Sequence, residues 1–412
     1  MAETVGQRVL PRERATGDLW LLGITLALLG AGLIMVLSAS DAYSLQTTGS
    51  AFNVFFHQVG YAALGLVGLV VASRIDYHRL RHWALPAFVA TVVLMLAVLV
   101  PHLGASAYGA SRWINIPGFP IQLQPSEVAK LSVAVFLASW MSKRTRSLDS
   151  FVDGFLPYAV LMAIVIGLLI LQKDLGTLIV TTVMMIAVYY AGGGRMRYLV
   201  LLGAAALGAM GALVVAEPYR VGRVTTFLNP FADPSNKTLQ AYQGLVALGS
   251  GGLTGVGLGH SIEKYQWLPE APTDFIFAII GEETGLIGAT LIIVGFVFFT
   301  IRGFRAAMRA PDRFGVALGA AITTWISVQA FINIGVVTAS LPVTGVPLPF
   351  ISYGGTALVI TLTGVGVLLN ISAQGSRPSL NGERRGNAAA HRGRGNRGPR
   401  VSGARDRTGV SS

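Results

Sequence analysis

Four carboxylates crowd into 22 residues of this chain. The stretch from Trp267 to Gly288, WLPEAPTDFIFAIIGEETGLIG, carries Glu270, Asp274, Glu282 and Glu283 beside two prolines in an otherwise strongly apolar sequence. Carboxylates at the edge of a hydrocarbon phase are costly to desolvate, so such residues mark candidate functional sites. Asp274 follows Pro269 and Pro272 and precedes an apolar run. In a half-dry surface cavity desolvation would push its pKa upward, which suits a general base. An aspartate before an apolar helix also commonly caps it, and position alone does not separate the two readings. Unbroken helix from Asp274 to Ile301 would span about 40 Å against a hydrocarbon core of about 30 Å. Asp274 would then stand above the lipid, with Glu282 and Glu283 near its outer edge.

Other residues form a second set of candidates. Glu127 and Lys130, in QPSEVAKL, stand three apart and share one helical face. Lys130 lies about a turn inside an apolar segment and needs a partner; Asp174, in LQKDLG, is at the same membrane face, so a buried cluster of Glu127, Lys130 and Asp174 is expected. Such a cluster either serves function or fixes the register of three helices. Arg112, Arg220, Arg223, Lys237 and Lys264 fall in two long loops, where together they could hold a phosphate or pyrophosphate. In GVPLPFISYGGT, residues 345 to 356, Ser352 can cap and Gly354 and Gly355 leave amides at a helix start, either an anion site or an ordinary turn. The glycines of GSGGLTGVGLGHS, residues 249 to 261, lack the strand and helix of a nucleotide fold, which rejects a Rossmann or P-loop reading but allows close backbone approach to a ligand. The six histidines show no metal-ligand spacing. A divalent cation held between carboxylates and substrate phosphates would leave no motif.

The elements that must position these residues are membrane helices. The 412-residue chain is 53% hydrophobic and 12% charged, with mean hydropathy +0.61, far from the roughly 25% charged residues of a soluble domain. Apolar runs near 19–39, 58–73, 84–101, 126–141, 155–171, 175–191, 198–216, 281–301, 314–339 and 354–372 predict an all-α polytopic fold of about ten spans. With both termini inside, fifteen lysines and arginines lie in inner segments and six in outer loops before the tail is counted, the positive-inside pattern. The first run lacks a small-residue cleavage site and reads as a retained helix. Two outer loops, 102–125 and 217–273, are long enough to carry function, and the aromatic-rich larger one is expected to fold over the membrane surface. The chain thus divides into a cytoplasmic segment 1–18, a transmembrane domain 19–372 and a disordered basic tail 373–412. Nine arginines in that tail account for much of the +12 net charge. They fit anionic inner-leaflet lipid or an acidic cytoplasmic partner, and no nucleic acid is implied. Cysteine is absent, which removes disulfide and thiolate chemistry.

Taken in order, GASRWINIPGFPIQLQPSEVAKL, QKDLGTLIV, RVTTFLNPFADP, WLPEAPTDFIFAIIGEETGLIG and PLPFISYGGT resemble the SEDS family of cell-wall polymerases, which joins FtsW, RodA and SpoVE. The resemblance covers residues 18 to 372, and GLGHSIEKYQWLPEA is more similar to the FtsW branch than to RodA. It implies ten spans with both termini inside, peptidoglycan glycosyltransferase activity on lipid II in the bacterial cell membrane, and a class B penicillin-binding transpeptidase and other divisome proteins as partners. The catalytic aspartate of the family motif falls on Asp274; Glu127, Lys130 and Asp174 fall on its other charged positions. The family commonly has histidine where this chain has Pro272. Glu270 and Thr273 flank the aspartate and join the candidate substrate-binding set with Arg112, Arg220, Arg223, Lys264, Ser352 and Gly354. Asp274 would take the proton from the acceptor sugar's 4-hydroxyl, the cations and possible Mg2+ or Mn2+ would stabilise the departing undecaprenyl pyrophosphate, and spans two and three with later helices would hold the polyprenyl chain. Rival readings are a lipid II flippase, the elongation role of a RodA-like paralogue, and a structural divisome scaffold.

Overall fold

The computed structural model describes residues 17–100, 104–107, 110–115, 122–144, 150–216, 221–222, 227–229, 231–233, 238–265 and 267–375. Arg220, Arg223, Lys237 and the tail assigned to 373–412, beyond Gly375, lie outside the described residues.

Each of the ten apolar runs is a helix. They are α1 Leu19–Thr48, α2 Asn53–Arg74, α3 Leu80–Ala97, α4 Pro125–Lys143, α5 Leu156–Leu171, α6 Leu175–Ala191 and α7 Met196–Ala216, then α9 Ile276–Met308, α10 Arg313–Val337 and α11 Gly355–Gly375. A shorter α8, Leu239–Ser250, lies within the second long loop. Among the described residues, seven helices are long and apolar enough to cross a membrane unaided. Helices α6 and α7 contribute shorter apolar stretches. Helix α4 carries Glu127 and Lys130 in its first turns and buries most of its length.

Local chemistry sets the helix ends. Asp18 caps α1, its Oδ1 accepting from the amides of Trp20 and Leu21, and Gly49 closes the helix in the left-handed conformation, φ 72°. The apolar run ends near residue 39, but the helix continues through polar residues to Thr48, because hydropathy marks the lipid-facing length and not the helix. Asp41 lies on that extension.

Helices α10 and α11 form the centre of the bundle, covered on nearly all sides, while α1, α2, α3 and α5 turn Ile34, Val67, Val93 and Ile164 outward as lipid-facing side chains do. Helix α2 lies close against α11. A Cβ on Gly366 would come within 2.3 Å of the Leu69 carbonyl oxygen, and one on Gly65 within 2.5 Å of Leu362, the small-residue contact that drives helix association in lipid. The first long loop contributes a three-stranded antiparallel sheet to an otherwise helical chain: β1 Gly104–Ala107, β2 Ala110–Asn115 and β3 Gln122–Leu123, with Gly104 opposite Ile114 and Ile114 opposite Leu123. Thr356 at the start of α11 donates to the Gln122 carbonyl and ties the sheet to the bundle.

Helix α9 departs from the expected unbroken span. Gly285 has φ 67° and ψ −168°, so the 33 residues are two helices joined at a break. Residues 276–283 are buried, whereas Leu286, Ile287, Leu291 and Val294 are exposed. The outward-facing apolar side chains of α9 therefore begin after Gly285, and Glu282 and Glu283 are buried within the protein.

The two ends of the bundle differ in character. At one end Arg302 pairs with Asp18, Tyr77 donates to Asp312, and Asn370 accepts from the Tyr77 amide. Asp274, Glu127, Asp174 and Lys264 gather at the other.

Candidate functional site

The site begins with a tight turn. Glu270 has φ 57°, and its carbonyl accepts from the amides of Thr273 (3.1 Å) and Phe275 (3.2 Å). The Thr273 hydroxyl lies 2.9 Å from Glu270 Oε2 and 3.2 Å from Asp274 Oδ1, so one hydroxyl sits between two carboxylates. Phe275 and Ile276 are fully buried and anchor the turn, leaving Asp274 half-buried and Glu270 exposed. Helix α9 starts at Ile276 with Phe275 at its cap position and no capping side chain. This excludes the capping reading of Asp274.

A loop from α10 to α11 closes over the turn. The Tyr353 amide donates to the Pro272 carbonyl at 2.9 Å, and a Cβ built on Gly345, φ 72°, would lie 3.7 Å from Asp274 Oδ2. Asn333 on α10 donates through Nδ2 to two carbonyls, of Asp274 and of Val346, each at 2.7 Å. One turn earlier, Gln329 donates to the Pro347 carbonyl at 3.0 Å. The anion site expected at Ser352 and Gly354 is not formed as proposed. Ser352 accepts from the Leu348 amide (2.7 Å) inside the loop, and the Gly354 amide faces Gln58 Oε1 of α2 at 3.4 Å. Ser352 Oγ and the Gly354 amide thus help to hold the loop.

The expected three-residue charge cluster is a pair. Lys130 Nζ lies 2.8 Å from Glu127 Oε1, with both side chains almost fully buried, and donates to Gln329 Oε1 at 2.7 Å. The Trp325 ring covers the ammonium at 5.2 Å. Asp174 stands apart: it caps α6 through the Thr177 amide and accepts from the Ser126 hydroxyl at 3.0 Å. A helix N-terminus and a hydroxyl satisfy that carboxylate, and an amide oxygen takes its place beside Lys130. Glu127 Oε2 is buried without a hydrogen-bond partner.

The glycine-rich loop repairs the break in α9. At Gly285 the helical ladder is interrupted, and the carbonyls of Glu282 and Glu283 accept instead from the amides of Val256 and Gly257, each at 3.0 Å. In return the Leu286 and Ile287 amides donate to the carbonyls of Gly252 and Leu253. The close approach allowed by these glycines is thus to α9, not to a ligand. A Cβ on Gly255 would stand 2.1 Å from the Glu283 carbonyl oxygen. The carboxylates complete the suture: Glu282 accepts from the Ser261 hydroxyl and the Ile262 amide, and Glu283 from Ser38 of α1 at 2.6 Å. Lys264, expected among the pyrophosphate-binding cations, is buried and spent on Asp41 (3.0 Å) and the Gly259 carbonyl (2.8 Å). Arg112 remains half-buried and donates to the Lys173 carbonyl, joining the sheet to the start of α6. Burial first, then the Glu282 carboxylate, raises the Glu263 pKa from 4.5 to about 7.

The described residues bring Asp274, Thr273 and Glu270 together beneath the loop that holds Ser352 and Gly354, with Glu127 and Lys130 linked to the same loop through Gln329. Gln329, Asn333 and Gln58 were not among the sequence candidates. Their signal is present in the chain, since Gln329 and Asn333 are amide side chains four apart inside an apolar run and so share one face of α10. On the flank of α2, Phe56, His57, Gly60, Tyr61, Leu64 and Val67 line an apolar groove of about 590 Å³.

A polytopic helical membrane protein that presents a half-buried carboxylate under a looped roof at one end of its bundle is the class these observations define. The chain belongs to the family of cell cycle proteins that joins FtsW, RodA and SpoVE, which it matches over residues 19–377. It is 42% identical over 357 residues to the probable peptidoglycan glycosyltransferase FtsW of Geobacter metallireducens, covering 87% of this chain and 95% of that one. It is 41% identical over 360 residues to the stage V sporulation protein E of Bacillus subtilis, covering 87% and 98%. Among solved structures it resembles a chain from a peptidoglycan synthase complex that coordinates polymerization and crosslinking, with TM-score 0.71 and 26% identity over 88% of this chain and 99% of that one. The rod shape determining protein RodA of Thermus thermophilus gives TM-score 0.65 at 26% identity, over 89% and 100%.

Proposed function

We propose that this chain is a peptidoglycan glycosyltransferase that polymerises lipid II, with Asp274 as its general base. The observation that carries the reading is the Asp274 carboxylate, half-buried and fixed by backbone ties to α10 and to the α10–α11 loop, at one end of a bundle made to sit in lipid. Asp274 takes the proton from the acceptor sugar's 4-hydroxyl, and the oxygen attacks the donor's anomeric carbon from the face opposite the pyrophosphate. The bond from that carbon to the pyrophosphate oxygen breaks with its electron pair, so undecaprenyl pyrophosphate leaves and configuration inverts. A base held rigidly at the reacting oxygen supplies orientation as well as proton transfer. The leaving group's negative charge grows in the transition state, where Arg112, Arg220 and Arg223 are the candidate cations to neutralise it. A divalent cation, Mg2+ or Mn2+, would supply further charge neutralisation on the pyrophosphate. Among the described residues no group of three acid, histidine or cysteine side chains converges, so such a cation would be held largely by the substrate's own phosphates.

The groove on α2 suits a polyprenyl chain, being apolar and open toward lipid. The protein acts in the cell membrane with both termini cytoplasmic, a placement supported by the basic residues at the end opposite Asp274. A class B penicillin-binding transpeptidase is the proposed partner, and likeness to a chain of a complex that couples polymerization to crosslinking supports it. The septum is the proposed site of action, given the FtsW relatives. Purified protein incubated with labelled lipid II tests the reading. Glycan chains are expected. Movement of lipid II across a vesicle bilayer without any polymer would favour the flippase and contradict it.

A further inference from the structure

Asn333 lies on α10, one turn beyond Gln329, and is about 1% exposed. Its amide nitrogen carries two protons and spends them on two backbone carbonyls, Asp274 and Val346, both at 2.7 Å. Those carbonyls belong to separate loops. One is the turn that presents the Asp274 carboxylate, and the other is the roof, whose Gly345 lies against Asp274 Oδ2. The neighbouring tie, from the Tyr353 amide to the Pro272 carbonyl, fixes the same two loops two residues before Asp274, but from the far side of the roof.

We infer that Asn333 is a positioning residue for the polymerase reaction, a two-pronged clamp that sets the place of the Asp274 carboxylate relative to the roof of the site. The inference rests on the function proposed above and adds a residue to it. The clamp acts on backbone, so it governs where the base stands and leaves substrate affinity to other groups. Loss of both donors removes the tie made at Asp274 itself and leaves only the Tyr353–Pro272 bond between turn and roof, and displacement of a base by about 1 Å costs roughly 100-fold in rate.

Two variants test this in full-length purified protein with labelled lipid II. Asn333→Ala removes both donors. Asn333→Asp keeps the shape and, buried against the two carbonyl oxygens, stays protonated with one donor in place of two. For Asn333→Ala, kcat is expected to fall by about 10- to 100-fold while KM stays within about twofold of the native value. Asn333→Asp should keep more of the native kcat than Asn333→Ala, because burial against two carbonyl oxygens keeps the substituted carboxyl protonated and able to donate to one of them. Its isosteric shape guards against simple misfolding, which thermal unfolding of both variants in detergent will register. Native kcat in both variants would overturn the inference. So would a loss confined to KM, or one in which Asn333→Asp is no faster than Asn333→Ala. Asp274→Ala in the same assay separates the two claims. Polymer from Asp274→Ala removes the proposed base, whereas a silent Asp274→Ala beside a fully active Asn333→Ala removes only the clamp.

Discussion

Thr273 has one hydroxyl proton and two carboxylates within reach of it, Glu270 Oε2 and Asp274 Oδ1. The same hydroxyl lies 3.0 Å from the Glu270 carbonyl oxygen, so Thr273 ties the side chains of the turn to its backbone. Pro272 contributes through its carbonyl, which accepts from the Tyr353 amide, so a histidine is not needed to hold the turn together. At the same end of the bundle Glu263 is a buried acid of a different kind. Burial and the neighbouring Glu282 raise its pKa to about 7 from the ordinary 4.5, and its Oε2 has no hydrogen-bond partner. The folded protein therefore holds a proton between about pH 4.5 and about 7 that the unfolded chain releases. By linkage, this group makes stability fall as pH rises through that interval and leaves it flat above about 7. Glu263→Gln should abolish that contribution. Thermal unfolding in detergent across the interval should show the native protein losing ground to the variant as pH rises, and parallel curves would contradict the assignment.

Among the elements, α9 was the one the sequence misrepresented. Its apolar pattern runs through Gly285, and hydropathy cannot register a glycine at φ 67° whose neighbouring carbonyls are satisfied by a loop 30 residues upstream. The glycine run was visible in the sequence as an isolated oddity, and what was missing was the break in α9 that it completes. The pairing makes a testable demand on Gly255, which has φ 81° and no room for a Cβ against the Glu283 carbonyl. Gly255→Ala must bear backbone strain and overpacking together, about 3 kcal/mol of destabilisation. An equivalent change at Gly249, with open space around its Cα, should be close to neutral. Equal melting temperatures for the two variants would mean that the loop does not suture α9. Helix α6 teaches a similar lesson on a smaller scale. Asp174 was assigned to Lys130 because both are charged and near one face, but a carboxylate at a helix start finds amides closer at hand.

For the molecule as a whole, the ten helices and the gathering of Asp274, Glu127 and Lys130 at one end were legible from apolar run lengths, basic-residue bias and recurring motifs. Illegible were the contacts made by neutral amides. Gln58, Gln329 and Asn333 stitch α2 and α10 to the roof, and a side chain without charge leaves little trace in a hydropathy or charge profile. The fate of Lys264 was equally hidden, since only the fold brings Asp41 from the far end of α1 to neutralise it. These ties converge on one carboxylate, and the whole account stands on it. The most direct measurement is glycan chain formation from labelled lipid II by purified Asp274→Asn protein, with lipid II binding and thermal unfolding followed on the same sample. The account predicts native folding and retained binding with polymerisation reduced at least about 1,000-fold, because an amide of the same shape cannot accept the acceptor's proton. Chain formation at the native rate would contradict it.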